Sequence, residues 1–338
     1  MIKSSNEYIV LDHGTGSKLS QELISKITKR LGDVHIGKME DSAILNIDTN
    51  QIAMTTDSFV VTPLFFGNGD IGKIAVCGTV NDLAVMGAVA KYMTLALIIE
   101  EGFSIEKLMK IIDSIRETAK EANIKIVGGD TKVVSKGEVD KLFINTTGVG
   151  VFERKPLNMN NVVPTDKLII TGYIGNHSIH LLSIREGLGF EKRILSDSAP
   201  LNHVISNLLE SELGKYVKSI RDVTRGGFAE IMHEYAQELN YDIEFDMDKI
   251  PLQKETIMAA DMLGVDPLHL ANEGCLCIFV DKDRADEIIK LLRRDEYTKE
   301  SVVVGEISLK QGINVIKNEK GIKENLLQLE GAELPRLC

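Results

Sequence analysis

Cysteine is scarce in this chain: Cys77, Cys275, Cys277 and Cys338 are the only four in 338 residues. So few thiols exclude a disulfide scaffold in a chain of this size and point to a reducing compartment. Positive charge is also in deficit, with 39 Lys and Arg against 50 Asp and Glu and a net charge of -11. That balance excludes a surface built to neutralise a phosphodiester backbone, so no nucleic-acid partner is expected. No apolar run is long enough to span a bilayer, and no early segment joins a basic start to an apolar stretch and a small-residue cleavage site. No membrane partner is expected, and the cytosol is the expected location. The seven histidines show no metal-ligand spacing. Cys275 and Cys277 lack the two further soft ligands of a zinc site, which makes core thiols the better reading. "HGTGSK", His13 to Lys18, lacks the gap between glycines that a Walker loop needs. "GNGDIG", Gly67 to Gly72, does not directly follow the first strand of a βαβ unit, so it reads as a Gly-rich turn capped by Asp70 rather than a dinucleotide fingerprint.

What remains is an ordinary globular composition, 43% hydrophobic and 26% charged, sufficient for a large core and two domains. Hydrophobic patterning predicts strands over 51–56, 89–99, 125–127 and 141–152, with helices over 70–86 and 104–122. "ERKPLNMNNVVPTD" marks a connection. Beyond it lie the strand "KLIITG", helices near 177–186 and 201–212, and a helix opening after "TRGG". These are followed by "YDIEFDM", a helix around 256–263, "CLCIFV", a charged amphipathic helix over 283–294 and "SVVVGEI". The expected class is α/β, with one domain over 1–155, a second over 156–330, and a tail over 331–338 that ends "GAELPRLC". A thiol at Cys338 is open to oxidation and adds nothing to a core.

The helix over 70–86 is apolar on nearly every face, which predicts a buried helix. At about 100° per residue, Asp82 falls on the same line as Ile71, Ala75 and Gly78, so its carboxylate projects from small and apolar residues and needs a partner. Asp82 is either a hydrogen-bonded structural carboxylate or a metal ligand. Asp41 precedes "SAILNI", Asp57 closes the apolar strand "IAMTT", and Asp130 closes "IVGGD". Each of these fits a cap or turn, but strand-end carboxylates are where α/β proteins place ligand chemistry. Together the four suggest hard cations bridging phosphates, with Gly128 and Gly129 admitting backbone amides to the phosphate oxygens. "RDVTRGG" sets Asp222 and Arg225 before a helix N-terminus suited to anions. In "ANEG", Glu273 is either a solvated loop carboxylate or a functional one.

Read together, "LDHGTGS", "TTDSFVVTPLFF", "GDIGKIAVCGTVNDLAVMGA", "IVGGDTKVV", "SDSAPL", "RDVTRGG", "ANEG" and "PRLC" resemble the HypE family of hydrogenase maturation proteins. That family falls within the superfamily of aminoimidazole ribonucleotide synthetase, selenophosphate synthetase and thiamine monophosphate kinase. Ser17 stands where the family usually has a glycine. The resemblance implies an α/β fold of the α+β type, a homodimer whose first-domain strands form a barrel, and ATP between the domains. It implies that Asp41, Asp57, Asp82 and Asp130 hold Mg²⁺ and phosphate, with Asn81 and Thr131 beside them, and that Asp222 and Arg225 serve the phosphate side. The implied reaction, in the maturation of nickel–iron hydrogenases, is ATP-dependent dehydration of a carboxamide on Cys338 to a thiocyanate. A HypF-like carbamoyltransferase would load it, and a HypC–HypD complex would accept the cyano group. Glu273 is the expected base, and Lys132 would polarise phosphate or assist proton movement. Eight residues from Gly331 reach at most about 26–29 Å, enough for the tail to swing between partner and site. Arg336 either offsets the α-carboxylate beside the thiol or anchors the tail on an acidic rim. The rival readings are a selenophosphate synthetase or small-molecule kinase, which have no use for Cys338, and a non-catalytic nucleotide-gated scaffold for maturation partners.

Overall fold

The computed structural model describes residues 8–14, 18–36, 49, 51–329 and 336–337. In the first lobe, α1 (Lys18–Leu31) precedes β1 (Ile52–Phe59). The small hairpin β2 (Phe65–Phe66) and β3 (Gly69–Asp70) leads into α2 (Ile71–Val85), followed by β4 (Val89–Glu100), α3 (Ile105–Glu121), β5 (Lys125–Val134) and β6 (Leu142–Val151). The sheet runs β1-β6-β4-β5, antiparallel except where β4 meets β5. Asp70 caps α2 as the sequence predicts, accepting the Gly72 and Lys73 N–H groups at 2.8 and 3.1 Å. Every residue of α2 is buried except Lys73 and Asp82, so the helix serves as core on nearly all sides.

The second lobe comprises β7 (Lys167–Ile170), α4 (Asn176–Glu186), α5 (Asn202–Glu210), β8 (Val217–Asp222), α6 (Gly227–Leu239) and β9 (Tyr241–Asp246). It continues through α7 (Lys254–Leu263), β10 (Leu276–Val280), α8 (Ala285–Leu292), β11 (Val302–Gln311), β12 (Val315–Glu319) and β13 (Ile322–Asn325). Its sheet runs β13-β12-β9-β11-β7-β10-β8, with β12 and β9 the parallel neighbours. β10, between β7 and the edge strand β8, is buried along its whole length. Cys275 and Cys277 face one apolar cluster while Leu276, Ile278 and Val280 face another, the alternation of a strand buried on both sides. Burial pushes the Cys275 thiol up to about 12 and raises those of Cys277 and Cys77 well above the ordinary range. The lobes share packing: Ile179, Leu181 and Leu182 of α4 join Ile71, Leu108 and Ile111 in one continuous core.

Two sequence expectations need correcting. Asp57 does not end its strand, because β1 runs on to Phe59, and Asp130 lies within β5, which continues to Val134. Cross-strand pairing carries the backbone onward in both places: β1 pairs with β6 through Phe59 and Ile144, and β5 with β4 through Val134 and Glu100. The polar break after "IAMTT" and the glycines of "IVGGD" marked ends that tertiary pairing overrides.

Candidate active site

Asp57 and Asp82 come together because β1 lies against α2. Thr55 Oγ1 donates to Asp82 Oδ2 at 2.7 Å. Gly78, on the helix line that the sequence assigned to Asp82, leaves room for both neighbours: a methyl there would stand 3.0 Å from the Phe59 ring and 3.3 Å from Asp57 Oδ2. The second lobe adds buried Asp222 from the end of β8, with Arg221 and Arg225 to either side. These side chains and Glu273 line a cavity of about 340 Å³.

Glu273 is held in place through its backbone. Its N–H donates to Asp197 Oδ1 at 3.0 Å, and Asn272 Nδ2 donates to Asp197 Oδ2 at 2.7 Å. Asn272 Oδ1 in turn accepts the Gly175 N–H at 2.9 Å. A side chain at 274 would place its Cβ 1.8 Å from the Asp197 carbonyl oxygen, so the close approach demands glycine. The loop therefore presents a buried Glu273 carboxyl to the cavity, which decides between the two alternatives that the sequence left for it: Glu273 is no solvated loop carboxylate.

Crowding shapes the electrostatics. Burial, and then the charge of Asp82, raise Asp57 to about 6 and Asp222 likewise to about 6. Asp82 is raised by burial against the opposing Thr55 hydrogen bond and the Arg221 and Arg225 charges. Glu273 is pushed well above the carboxylate range by burial, then by Asp197, Asp222, Asp57 and Asp82. Carboxyl groups that raise one another's proton affinity are stabilised when a cation takes the protons' place. Among the described residues no group of three such side chains already converges as a ready-made metal cage. An open carboxyl-lined cavity of this kind suits Mg²⁺, which keeps waters and shares phosphate oxygens.

Other expected site residues lie elsewhere in the chain. Gly128, Gly129, Asp130, Thr131 and Lys132 occupy β5, three strands from β1 in the sheet order and so about 14 Å away at ordinary strand spacing. There Asp130 is exposed and pairs with Lys132 at 3.5 Å. Gly129 meets a packing need, since a Cβ would strike the Leu95 carbonyl, while Gly128 faces open space. Asn81 has both ends of its amide occupied: Nδ2 donates to the Ala199 carbonyl at 3.0 Å and Oδ1 accepts the Leu201 N–H at 2.7 Å. It clips α2 to the segment that opens α5. Asp41, Ser17 and Cys338 lie outside the described residues.

Arg336 and Leu337 are docked against the body. Leu337 is buried in the shared core, and Arg336 Nη1 donates to Asp140 Oδ2 at 2.9 Å, the acidic anchor that the sequence left as one alternative. Sequence reasoning missed Asp197, although it sits within "SDSAPL", because its role is to accept backbone N–H groups more than seventy residues away. His177 and Arg185, which contact the docked segment, left no local signal either.

Two α/β lobes with a carboxyl-lined cavity at their junction define an AIR synthase-related protein. The model of the AIR synthase related protein N-terminal domain matches residues 39–152, and that of the C-terminal domain matches 163–318. The chain is 36% identical to the carbamoyl dehydratase HypE of Escherichia coli, covering 98% of this chain and 99% of that one. It is 40% identical to a putative hydrogenase expression/formation protein of Methanocaldococcus jannaschii, over 96% of this chain and 98% of the relative. The crystal structure of a hydrogenase maturation protein HypE in complex with ATP superposes with a TM-score of 0.92 at 36% identity, over 97% of this chain and 99% of that one. A HypE–HypF complex gives a TM-score of 0.79 at 43% identity, over 84% and 92%. The chain belongs to the HypE family of carbamoyl dehydratases, enzymes of hydrogenase maturation. Among the described residues no helix is long and apolar enough to cross a membrane.

Proposed function

We propose that this chain carries a carboxamide on the sulfur of Cys338 and dehydrates it with ATP. A HypF-like carbamoyltransferase supplies the group in the cytosol, a reading supported by the solved complex of a related HypE with HypF, and a HypC–HypD complex takes the product. The amide oxygen attacks the γ-phosphorus of ATP, and ADP leaves. Loss of the phosphorylated oxygen and of both N–H protons converts S–C(=O)–NH₂ into S–C≡N. The oxygen departs in inorganic phosphate, so the balance is one dehydration per ATP hydrolysed. The cyano group then passes to iron.

The observation that carries this reading is the set of four carboxyl groups, Asp57, Asp82, Asp222 and Glu273, held in one cavity with raised proton affinity. Asp57, Asp82 and Asp222 are the residues that would hold Mg²⁺, which supplies neutralisation of phosphate charge. Arg225, before the N-terminus of α6, is placed to meet phosphate oxygens. Glu273 fits the base for the amide protons, because a buried carboxylate whose proton affinity is raised by burial and by its acidic neighbours accepts a proton better than an ordinary one.

The separation of Asp130 and Lys132 from this cavity supports a homodimer. One face of β1 is open, with Met54 69% exposed and Ile52, Thr56 and Ser58 exposed beside it. First-domain sheets of two chains packed into a barrel would cover that face and carry the Gly128–Lys132 stretch of the partner subunit to the cavity. Asp41 would join the Mg²⁺ and phosphate ligands. Mass spectrometry of the C-terminal peptide after incubation with the carbamoyltransferase, carbamoyl phosphate and ATP tests the central claim. The expected result is a carbamoyl adduct on Cys338 that becomes a cyano adduct when ATP is added; a bare thiol throughout would overturn it.

A further inference from the structure

Arg336 and Leu337 are gripped by both lobes at once. From the first lobe come the Asp140 pairing at 2.9 Å, the Val60 carbonyl, which accepts from Arg336 Nε at 2.8 Å, and the Phe143 ring, 5.7 Å from the guanidinium. From α4 of the second lobe, Arg185 donates to the carbonyls of Arg336 and Thr62. His177 Nε2 lies 2.7 Å from the Leu337 carbonyl oxygen. A carbonyl only accepts, so His177 carries its proton on Nε2 and its Nδ1 accepts from the Ser196 hydroxyl at 2.8 Å. The tautomer is consistent with Ser196, whose oxygen also accepts the Ser198 N–H at 3.2 Å. Ser196 is followed directly by Asp197, the residue that holds the backbone of Glu273. One path, hydrogen-bonded except for the peptide link from Ser196 to Asp197, therefore joins residues 336–337 to the loop bearing Glu273.

We propose that His177 and Arg185 are positioning residues for the dehydration, a clamp that fixes how deeply the arm inserts. Both donors meet main-chain carbonyls of residues that precede Cys338, so the clamp grips the arm alike whatever the sulfur carries. Register comes from the Arg336 pocket and from buried Leu337, while depth comes from the two carbonyl contacts. Loaded and emptied arms thus leave at similar rates, and the clamp spends its binding energy on orientation. Its bearing on turnover rests on the reading above, whereas the docking does not.

Carboxypeptidase digestion of the full-length, unloaded protein without ATP, followed by mass, measures the docking alone. Arg185→Ala and Arg336→Ala should each release the last residues roughly tenfold faster than the parent, the weight of one charge-assisted hydrogen bond. His177→Ala should do the same, and His177→Gln, which returns an N–H near the Nε2 position, should restore much of the protection. Arg336→Ala alters only the arm, so it keeps the test valid should the buried His177→Ala variant fail to fold. With the loaded protein, kcat should fall in step while the KM for ATP holds. Equal digestion of parent, Arg185→Ala and Arg336→Ala would refute the clamp, and faster digestion with unchanged kcat would refute its positioning role. If the parent itself yields no cyano adduct, the dehydration reading fails, and the digestion rates still decide the docking.

Discussion

Asp57 on β1 and Asp130 on β5 belong to one sheet, yet they live under opposite conditions. Asp57 is half-buried, crowded by Asp82 and raised to about 6. The Asp130 side chain is 60% exposed and sits beside Lys132. The difference lies in what covers each edge. α2 and the second lobe close over β1 and strip water from its one carboxylate, Asp57, while the middle of β5 stays in solvent. A carboxylate gains chemical leverage from the lid above it as much as from its own strand.

The contrast can be sharpened most severely at the covered end. Glu273→Gln should cut cyano-adduct formation by about 10²–10⁴-fold while leaving ATP affinity nearly unchanged, read by product mass and by calorimetry. Full turnover would remove Glu273 from the role of base. A second experiment breaks the contrast altogether. Asp57→Asn and Asp130→Asn chains, each inactive alone, should regain roughly a quarter of the parental activity when unfolded together, refolded and mixed one to one. In a homodimer of shared sites, random pairing makes half the dimers mixed, with one intact site in each. No recovery would show that the two carboxylates never meet across chains.

Smaller effects probe the frame. Asn81→Ala leaves the Ala199 carbonyl and the Leu201 N–H without their buried partner, and should cost about 2–3 kcal/mol in denaturant unfolding. Asp57→Asn should go the other way, raising the stability of the metal-free protein by about 1 kcal/mol at pH 7.5. Asp57 and Asp222 bind protons more tightly folded than unfolded. Their strain is therefore absent below about pH 4, grows as pH rises towards about 6, and is complete above. The gain from Asp57→Asn should fade as pH is lowered towards 4. Mg²⁺ should likewise raise the melting temperature at pH 7.5 and have little effect at pH 4.5. A pH-independent gain would place the stabilisation elsewhere.

Much of this architecture could be read from the chain itself. The buried helix with Asp82 on its small-residue line, the cap at Asp70 and the core cysteines all follow from local periodicity and side-chain size. What escaped was set by distant backbone. β5 runs through "GGD" because β4 pairs with it, Asn81 spends its amide on Ala199 and Leu201, and Asp197 organises the Glu273 loop through N–H groups. A residue type announces its chemistry, but which carbonyl or amide it will meet depends on a fold that brings positions more than a hundred residues apart into contact.

The three buried thiols acquire a further meaning beside Cys338. Cys77, Cys275 and Cys277 are buried, and their burial suppresses their thiolates. An electrophile offered to this protein, whether an acyl donor or an alkylating probe, thus finds the body of the molecule inert. On the proposed loading at Cys338, the burial of these three thiols supplies selectivity among the sulfurs. An alkylating probe should then label that position without removal of any of the three buried cysteines.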